Sequence, residues 1–267
     1  MFASRSVGRL GSLAAVCAVA CTRVAQPTFA ASSYGPCDAV GDGLRGEIWK
    51  RKHDNLNILE LEDNEIVTRL MTVLRNKDTP TEEFRAVADR VLAYVMEAVV
   101  AGLDDEEVTV QTDSGVEYTG PVTELGEVAA VGIKSGCAAA EAALRATIPA
   151  VSVYSANFTK SADGQKEVAD TDLPKHLKGV NTVVLLAPVL PSAQAVSAMM
   201  EELASRGVPA EKVVIACLTL SPEAAEELTK RGLNVVSASI EAGRGPSGNL
   251  LPGLGHFATR YGGAERA

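Results

Sequence analysis

The chain has 267 residues, 46% of them hydrophobic, with 25 Lys and Arg against 34 Asp and Glu and a formal net charge of −9. An acidic balance of this kind argues against nonspecific binding to nucleic acid or to an anionic membrane surface, because both depend on concentrated Lys and Arg. The length and apolar content suit one domain with a core of ordinary size.

In chain order, Met1 to Ser33 contains Arg5, Arg9 and Arg23 and no acid, and without it the formal charge moves from −9 to −12. A stretch rich in Arg, Ser and Ala and free of acids has the composition of a mitochondrial presequence, so residues 1–33 are set apart from the fold. A secretory signal is the competing reading, since Leu10 to Ala20 is an apolar run behind two arginines with small residues at Ala30 and Ala31. That run is shorter than the ~20 residues that cross a bilayer, so no integral membrane segment is expected. Residues 34–54, rich in Gly and polar side chains, read as a flexible arm, and residues 55–267 as the folded domain.

From Pro80 the pattern sharpens. Thr79 is placed to cap a helix and Pro80 to open it, with Glu82 and Glu83 at its positive end. Phe84, Val87, Val91, Leu92, Val95 and Val99 then share one helical face. Val108 to Gln111 and Gly115 to Tyr118 read as short strands or a hairpin flanking the main sheet. Beyond Glu127, apolar runs alternate with helical patterns. These are Val128–Ile133 then Ala138–Thr147, Ala150–Tyr154, Thr182–Leu186 then Ala195–Arg206, Lys212–Leu218 then Pro222–Arg231, and Asn234–Ile240. Strands so uniformly apolar are buried on both faces, and their alternation with helices implies parallel strands joined by crossovers. The predicted architecture is a doubly wound α/β fold, a mostly parallel sheet with helices on both faces. Ligands of such sheets bind outside the carboxyl ends of the strands, which selects Lys134–Cys137, Ser155–Asp172, Ala187–Gln194 and Glu241–Gly263.

Two of these regions carry rare strings. Leu74 to Arg85 reads LRNKDTPTEEFR and Leu250 to Gly262 reads LLPGLGHFATRYG. The first resembles the start of uracil phosphoribosyltransferases, and the second resembles that family's uracil loop, of form PGLGDAGDR. Between them, IKSG at Ile133 to Gly136 falls where the family has LRAG, and LAPVLPSAQA at Leu186 to Ala195 falls on its donor loop, DPMLATGGS. The resemblance covers about Asn55 to Gly263. It implies a phosphoribosyltransferase-like fold and a reaction that joins uracil to the ribose phosphate of phosphoribosyl pyrophosphate, giving UMP with magnesium assisting.

The residues at the donor loop depart from that chemistry. A phosphate cradle needs a Gly-rich backbone whose N–H groups converge on the anion at a helix start. Here Ala193 and Gln194 replace both glycines, Pro191 removes a donor and fixes its own φ, and Ala187 replaces the acid that orients ribose hydroxyls. The resemblance leaves as residual binding residues Lys134, Ser192, Leu251, Gly253, Gly255 and Arg260. Lys134 keeps a point charge where the family has a forked Arg. Lys160 is a weak stand-in for the family's second phosphate-facing Arg, and Ser192 is expected first of all to cap the helix that follows it. In the uracil loop His256, Phe257 and Thr259 stand for Asp, Ala and Asp, adding bulk and deleting carboxylates. His256 has no acidic orienter in sequence and is not assigned as a general base.

Other features are bland. The GxGxxG strings at Gly41 and at Gly243 lack the strand–helix context of a dinucleotide site. Cys137 and Cys217 read as core residues, the three histidines are far apart, and no metal site is indicated. No catalytic residue is assigned. The leading expectation is a uracil phosphoribosyltransferase-like pseudoenzyme acting as a structural or interaction subunit of a mitochondrial assembly, with protein partners or as a homodimer. The alternatives are an active enzyme of pyrimidine salvage using magnesium, and a non-catalytic binder of uracil or UMP. No cofactor is expected for the leading reading.

Overall fold

The computed structural model describes residues 58–123, 125–133, 137–160, 166–177 and 179–263. The expected presequence, the arm at 34–54 and Lys134 lie outside these residues.

The main sheet has the order β1 (Ile58–Glu60), β10 (Asn234–Ile240), β9 (Val213–Leu220), β7 (Thr182–Leu186), β4 (Val128–Ile133), β5 (Ser152–Lys160) and β6 (Lys166–Thr171), with the short β8 (Val189–Leu190) also pairing with β9. All these pairings are parallel except β5 with β6. Side chains leave a strand alternately to its two faces, so each central strand feeds two cores. In β9, Val214, Ala216 and Leu218 enter one buried cluster, while Val213, Ile215 and Cys217 enter the other.

Helices cover both faces. The first cluster is closed by α1 (Glu65–Arg75), α2 (Thr81–Ala101), α3 (Ala138–Thr147) and the short α6 (Phe257–Gly262); the second by α4 (Gln194–Ser205) and α5 (Pro222–Lys230). Asn64 starts α1, its side chain accepting from the N–H groups of Ile66 and Val67 at 2.9 and 3.4 Å. Val67, Leu70, Met71 and Leu74 make its buried stripe. This helix and strands β1 and β6 were not anticipated from the pattern.

Three local expectations change. Pro80 is the residue before the first turn of α2, and the Thr79 hydroxyl donates instead to the Val73 carbonyl at 2.7 Å, joining α1 to α2. The region Ser155–Asp172 was expected to be a ligand loop. It continues β5 to Lys160 and returns antiparallel as β6, with a register shift at Asn157/Phe158. The hairpin of β2 (Asp105–Gln111) and β3 (Glu117–Thr123) is longer than expected and forms a two-stranded sheet of its own.

Candidate functional site

The loops at the carboxyl ends of β7 and β10 hold the regions singled out from sequence. After β7, Ala187 keeps to the sheet, donating its N–H to the Ala216 carbonyl at 3.0 Å. The Pro188 carbonyl accepts from Leu218 and Thr219, and β8 then pairs with the end of β9. Ala193 precedes α4 with φ −75° and no side-chain cap. Ser192 therefore does not cap this helix, because the cap position falls one residue later. Ala187, Ala193 and Ala195 are 2%, 1% and 0% exposed and belong with Leu190 and Val196 to the apolar cluster beneath the sheet. Three methyl groups thus fill the turn, and its backbone bonds run sideways into β9.

The second loop is built differently. After β10, Gly243–Arg244 (β11) pairs antiparallel with Leu250–Leu251 (β12), and the Leu251–Pro252 peptide is cis. Gly253 and Gly255 have φ of +62° and +69°. At Gly253 a side chain is ruled out twice, by its left-handed backbone and because a Cβ would collide with the Leu250 carbonyl. Glu241 holds this turn. Its Oε2 accepts from the Gly253 N–H at 3.1 Å, and its Oε1 pairs with the Arg75 Nη2 at 3.1 Å, with the Glu241 side chain fully buried. Arg75 also donates to the Ser239 Oγ at 2.9 Å. A buried carboxylate is tolerated only when paired and hydrogen-bonded, and Glu241 is both.

Arg260 serves the same loop. Its Nη1 donates to the carbonyls of Leu74 and Leu254 at 2.6 and 2.9 Å, its Nη2 to that of Asn76 at 2.7 Å, and its guanidinium lies 4.0 Å from the centre of the Phe84 ring. The carbonyls at the end of α1 have no partner within their helix, and Arg260 satisfies them while tying the helix to the loop. His256 is exposed and starts α6, with its Nδ1 2.6 Å from the Thr259 Oγ1. Phe257 and Tyr261 stack on α2. The Tyr261 hydroxyl donates to Asp89 at 2.7 Å, and burial followed by that hydrogen bond pushes its pKa up to about 12.

Of the residues proposed from sequence, Ser192 is half-buried at the β7 exit, Leu251, Gly253 and Gly255 lie in the second loop with Leu251 half-exposed, and Arg260 lies in α6, bonded to that loop. The two exits are linked across β9, since the Ser221 N–H donates to the Leu190 carbonyl and the Glu241 N–H to the Leu220 carbonyl. Arg75 and Glu241 were missed as functional residues. A single acid closing the apolar strand Asn234–Ile240 was the available signal. The β4 exit is partly described: Cys137 begins α3, buried, with its thiol donating to the Leu186 carbonyl at 3.1 Å. Cys217 lies within the sheet, and its burial pushes the thiol up to about 12. Among the described residues there is no group of three or more His, Cys, Asp or Glu that could hold a metal ion, and no helix long and apolar enough to cross a membrane.

A mostly parallel sheet of this order, with helices on both faces and its exit loops gathered at the carboxyl edge, defines a phosphoribosyltransferase-like α/β protein. The uracil phosphoribosyltransferase family model matches residues 61–264, and the chain belongs to that family. Uracil phosphoribosyltransferase of Dictyostelium discoideum is 29% identical over 218 residues, covering 78% of this chain and 97% of that protein. Uracil phosphoribosyltransferase 1 of Schizosaccharomyces pombe is 26% identical, with 78% and 96% covered. The chloroplastic uridine/cytidine kinase UKL1 of Arabidopsis thaliana is 28% identical, and there the chain spans 43% of the relative's length. Among solved structures, the AQ2163 protein of Aquifex aeolicus superposes with a TM-score of 0.66 at 18% identity, covering 79% of this chain and all of that one.

Proposed function

We propose that this family member no longer transfers a phosphoribosyl group and acts as a structural or interaction subunit of a mitochondrial assembly. The observation that carries the loss of chemistry is the turn after β7, where Ala193 is 1% exposed at φ −75° and packed with Ala187 and Ala195 into the core. A diphosphate needs several N–H groups aimed into an open concavity. Here the turn is filled with methyls, Pro191 has no N–H, and the Ala187 N–H is bonded to β9. Each lost hydrogen bond to a buried polar partner costs about 1–3 kcal/mol, so several together move a micromolar donor to millimolar or weaker. The exit also lacks the acid with which the family orients ribose hydroxyls, because Ala187 offers a methyl there.

The acid-free, Arg-bearing stretch Met1–Ser33 supports mitochondrial import. The intact two-faced core supports a scaffold role, since burial of the central strands does not depend on any bound donor. Incubation of the purified full chain with uracil, phosphoribosyl pyrophosphate and magnesium is expected to give no UMP above a boiled control. Sustained UMP formation would reinstate the active enzyme. Purification of the native protein from mitochondria at mild salt is expected to bring down defined partners; a free monomer or dimer, or a non-mitochondrial source, overturns the assembly role.

One observation favours a second reading, a non-catalytic binder of uracil or UMP. The second loop keeps its left-handed glycines and its Glu241 anchor, so its shape does not depend on the donor side. Calorimetry with uracil and with UMP separates the readings, because a purely structural subunit gives no saturable heat.

A further inference from the structure

A cavity of 570 Å³ opens at the amino ends of β4 and β5, the edge of the sheet opposite the β7 and β10 exits. That volume lies within the ~300–1,000 Å³ of small-molecule sites. Buried Val128, Ile148, Val151 and Leu177 supply an apolar lining. Tyr154 and Val180, half-buried against the second cluster, continue it. Bonds within the chain fix the surrounding segments. In the turn between α3 and β5, the Arg145 Nη1 donates to the Val151 carbonyl at 3.2 Å and the Val151 N–H to the Ile148 carbonyl at 3.1 Å. In the segment between β6 and β7, the Arg206 Nη1 donates to the carbonyls of Leu173 and Pro174 at 2.6 and 2.7 Å. A ligand therefore meets a preformed site and has little chain left to order.

The polar groups of this lining are left for a ligand. Among the described residues, the Glu127 carboxylate, the hydroxyls of Ser152 and Tyr154 and the His176 ring form no hydrogen bond or ion pair. The described lining holds one acid, Glu127, and no Lys or Arg. The chain makes room for that carboxylate, since Gly179 has φ +88° and a Cβ there would stand 3.0 Å from the Glu127 Oε2. The Glu127 backbone is tied down as well, its carbonyl accepting from the Asn181 N–H at 2.8 Å. A carboxylate beside an apolar cavity gains most from a cation with an apolar body, because burial and charge then act together and a planar amidinium can meet both carboxylate oxygens. We propose that this cavity is a binding site for a small organic cation, an amine or amidine on an aromatic or short aliphatic body, with Glu127 taking the charge and Ile148, Tyr154 and Leu177 the apolar part. The six residues of β4, ~20 Å of strand, separate it from the carboxyl edge, so it does not depend on whether the second loop binds uracil.

Benzamidine is the probe, titrated into the full chain by calorimetry, with benzamide and benzoate as its neutral and anionic counterparts. Benzamidine is expected to give saturable heat below ~10 mM and to bind at least about tenfold tighter than benzamide, while benzoate gives none. Glu127→Gln removes the charge and keeps the shape, and is expected to weaken benzamidine at least about tenfold, to the level of benzamide. Ala150→Trp places an indole at an exposed position of the lining without changing charge, and is expected to abolish the heat. Neither position belongs to either core, so both variants keep the fold and test the site alone. Absence of saturable heat with benzamidine overturns the proposal. So does equal affinity for benzamide, or binding that both variants leave unchanged. Competition by uracil would place the probe in the second loop and likewise overturn it.

Discussion

The exits of β7 and β10 lie at one edge of the same sheet and are joined through the end of β9, yet they hold their shapes by opposite means. The β7 exit is an apolar turn, with the methyls of Ala187, Ala193 and Ala195 buried and backbone bonds directed along the sheet. The β10 exit is a polar turn, in which Glu241, Arg75 and Arg260 hold a left-handed glycine loop. Burying methyls in the β7 turn ties it to the core by apolar packing. A polar turn keeps its geometry without any ligand. The contrast shows that two exits of one sheet can be held by apolar packing in one case and by buried polar bonds in the other.

The sharpest way to break the comparison is at Gly253. Gly253→Ala is expected to cost about 4 kcal/mol or more, since the new Cβ meets both a forbidden backbone and the Leu250 carbonyl, and chemical denaturation measures it. Glu241→Ala comes next, at about 3 kcal/mol, by leaving Arg75 and the Gly253 N–H without their acceptor. Arg260→Ala is expected to lower stability by about 2 kcal/mol through three lost carbonyl contacts and the Phe84 stack. If Arg260 instead contacts a ligand, its removal lowers uracil binding and leaves the denaturation midpoint where it was.

On the β7 side the expected effects are smaller. Ala193→Gly should cost about 1 kcal/mol, from added chain freedom and a lost methyl, and should bring no calorimetric signal with phosphoribosyl pyrophosphate. A saturable signal in that single variant would mean that glycine alone restores the cradle. The smallest effect concerns pH. The folded pKa of Tyr261 is raised to about 12 against an unfolded value of about 10, so its contribution to folding is complete below pH ~10 and is lost as pH climbs toward 12. Tyr261→Phe should flatten the stability profile across that interval.

Much of the fold was legible because burial on both faces leaves a continuous apolar run in the chain. Val128–Ile133, Thr182–Leu186 and Asn234–Ile240 appear in the structure with the limits expected for them. The amphipathic period around Phe84 likewise marked α2. Helix α1 carried a readable stripe, Val67, Leu70, Met71 and Leu74, but its start is an Asn64 cap with no Pro, set in an acidic run, Glu62 to Glu65, that reads as a surface turn. Strand β6 was harder, because Lys166–Thr171 sits at a sheet edge and carries polar residues that resemble a loop. At the β7 exit, the loss of Gly and Asp was plain from residue identity alone, whereas the role of Arg260 was not.

The amino-acid sequence by itself determined the alternation of strand and helix, the family likeness and the absence of Gly and Asp from Ala187–Ala195, because all three rest on residue type and near-neighbour spacing. Only the tertiary structure decided that Glu241 and Arg75 form the anchor of the second loop, although they stand 166 positions apart. It also decided that Arg260 satisfies carbonyls at the end of α1 and that the hairpin stands apart from the main sheet. A buried carboxylate finds its partner through space, and no local pattern encodes which distant guanidinium will meet it.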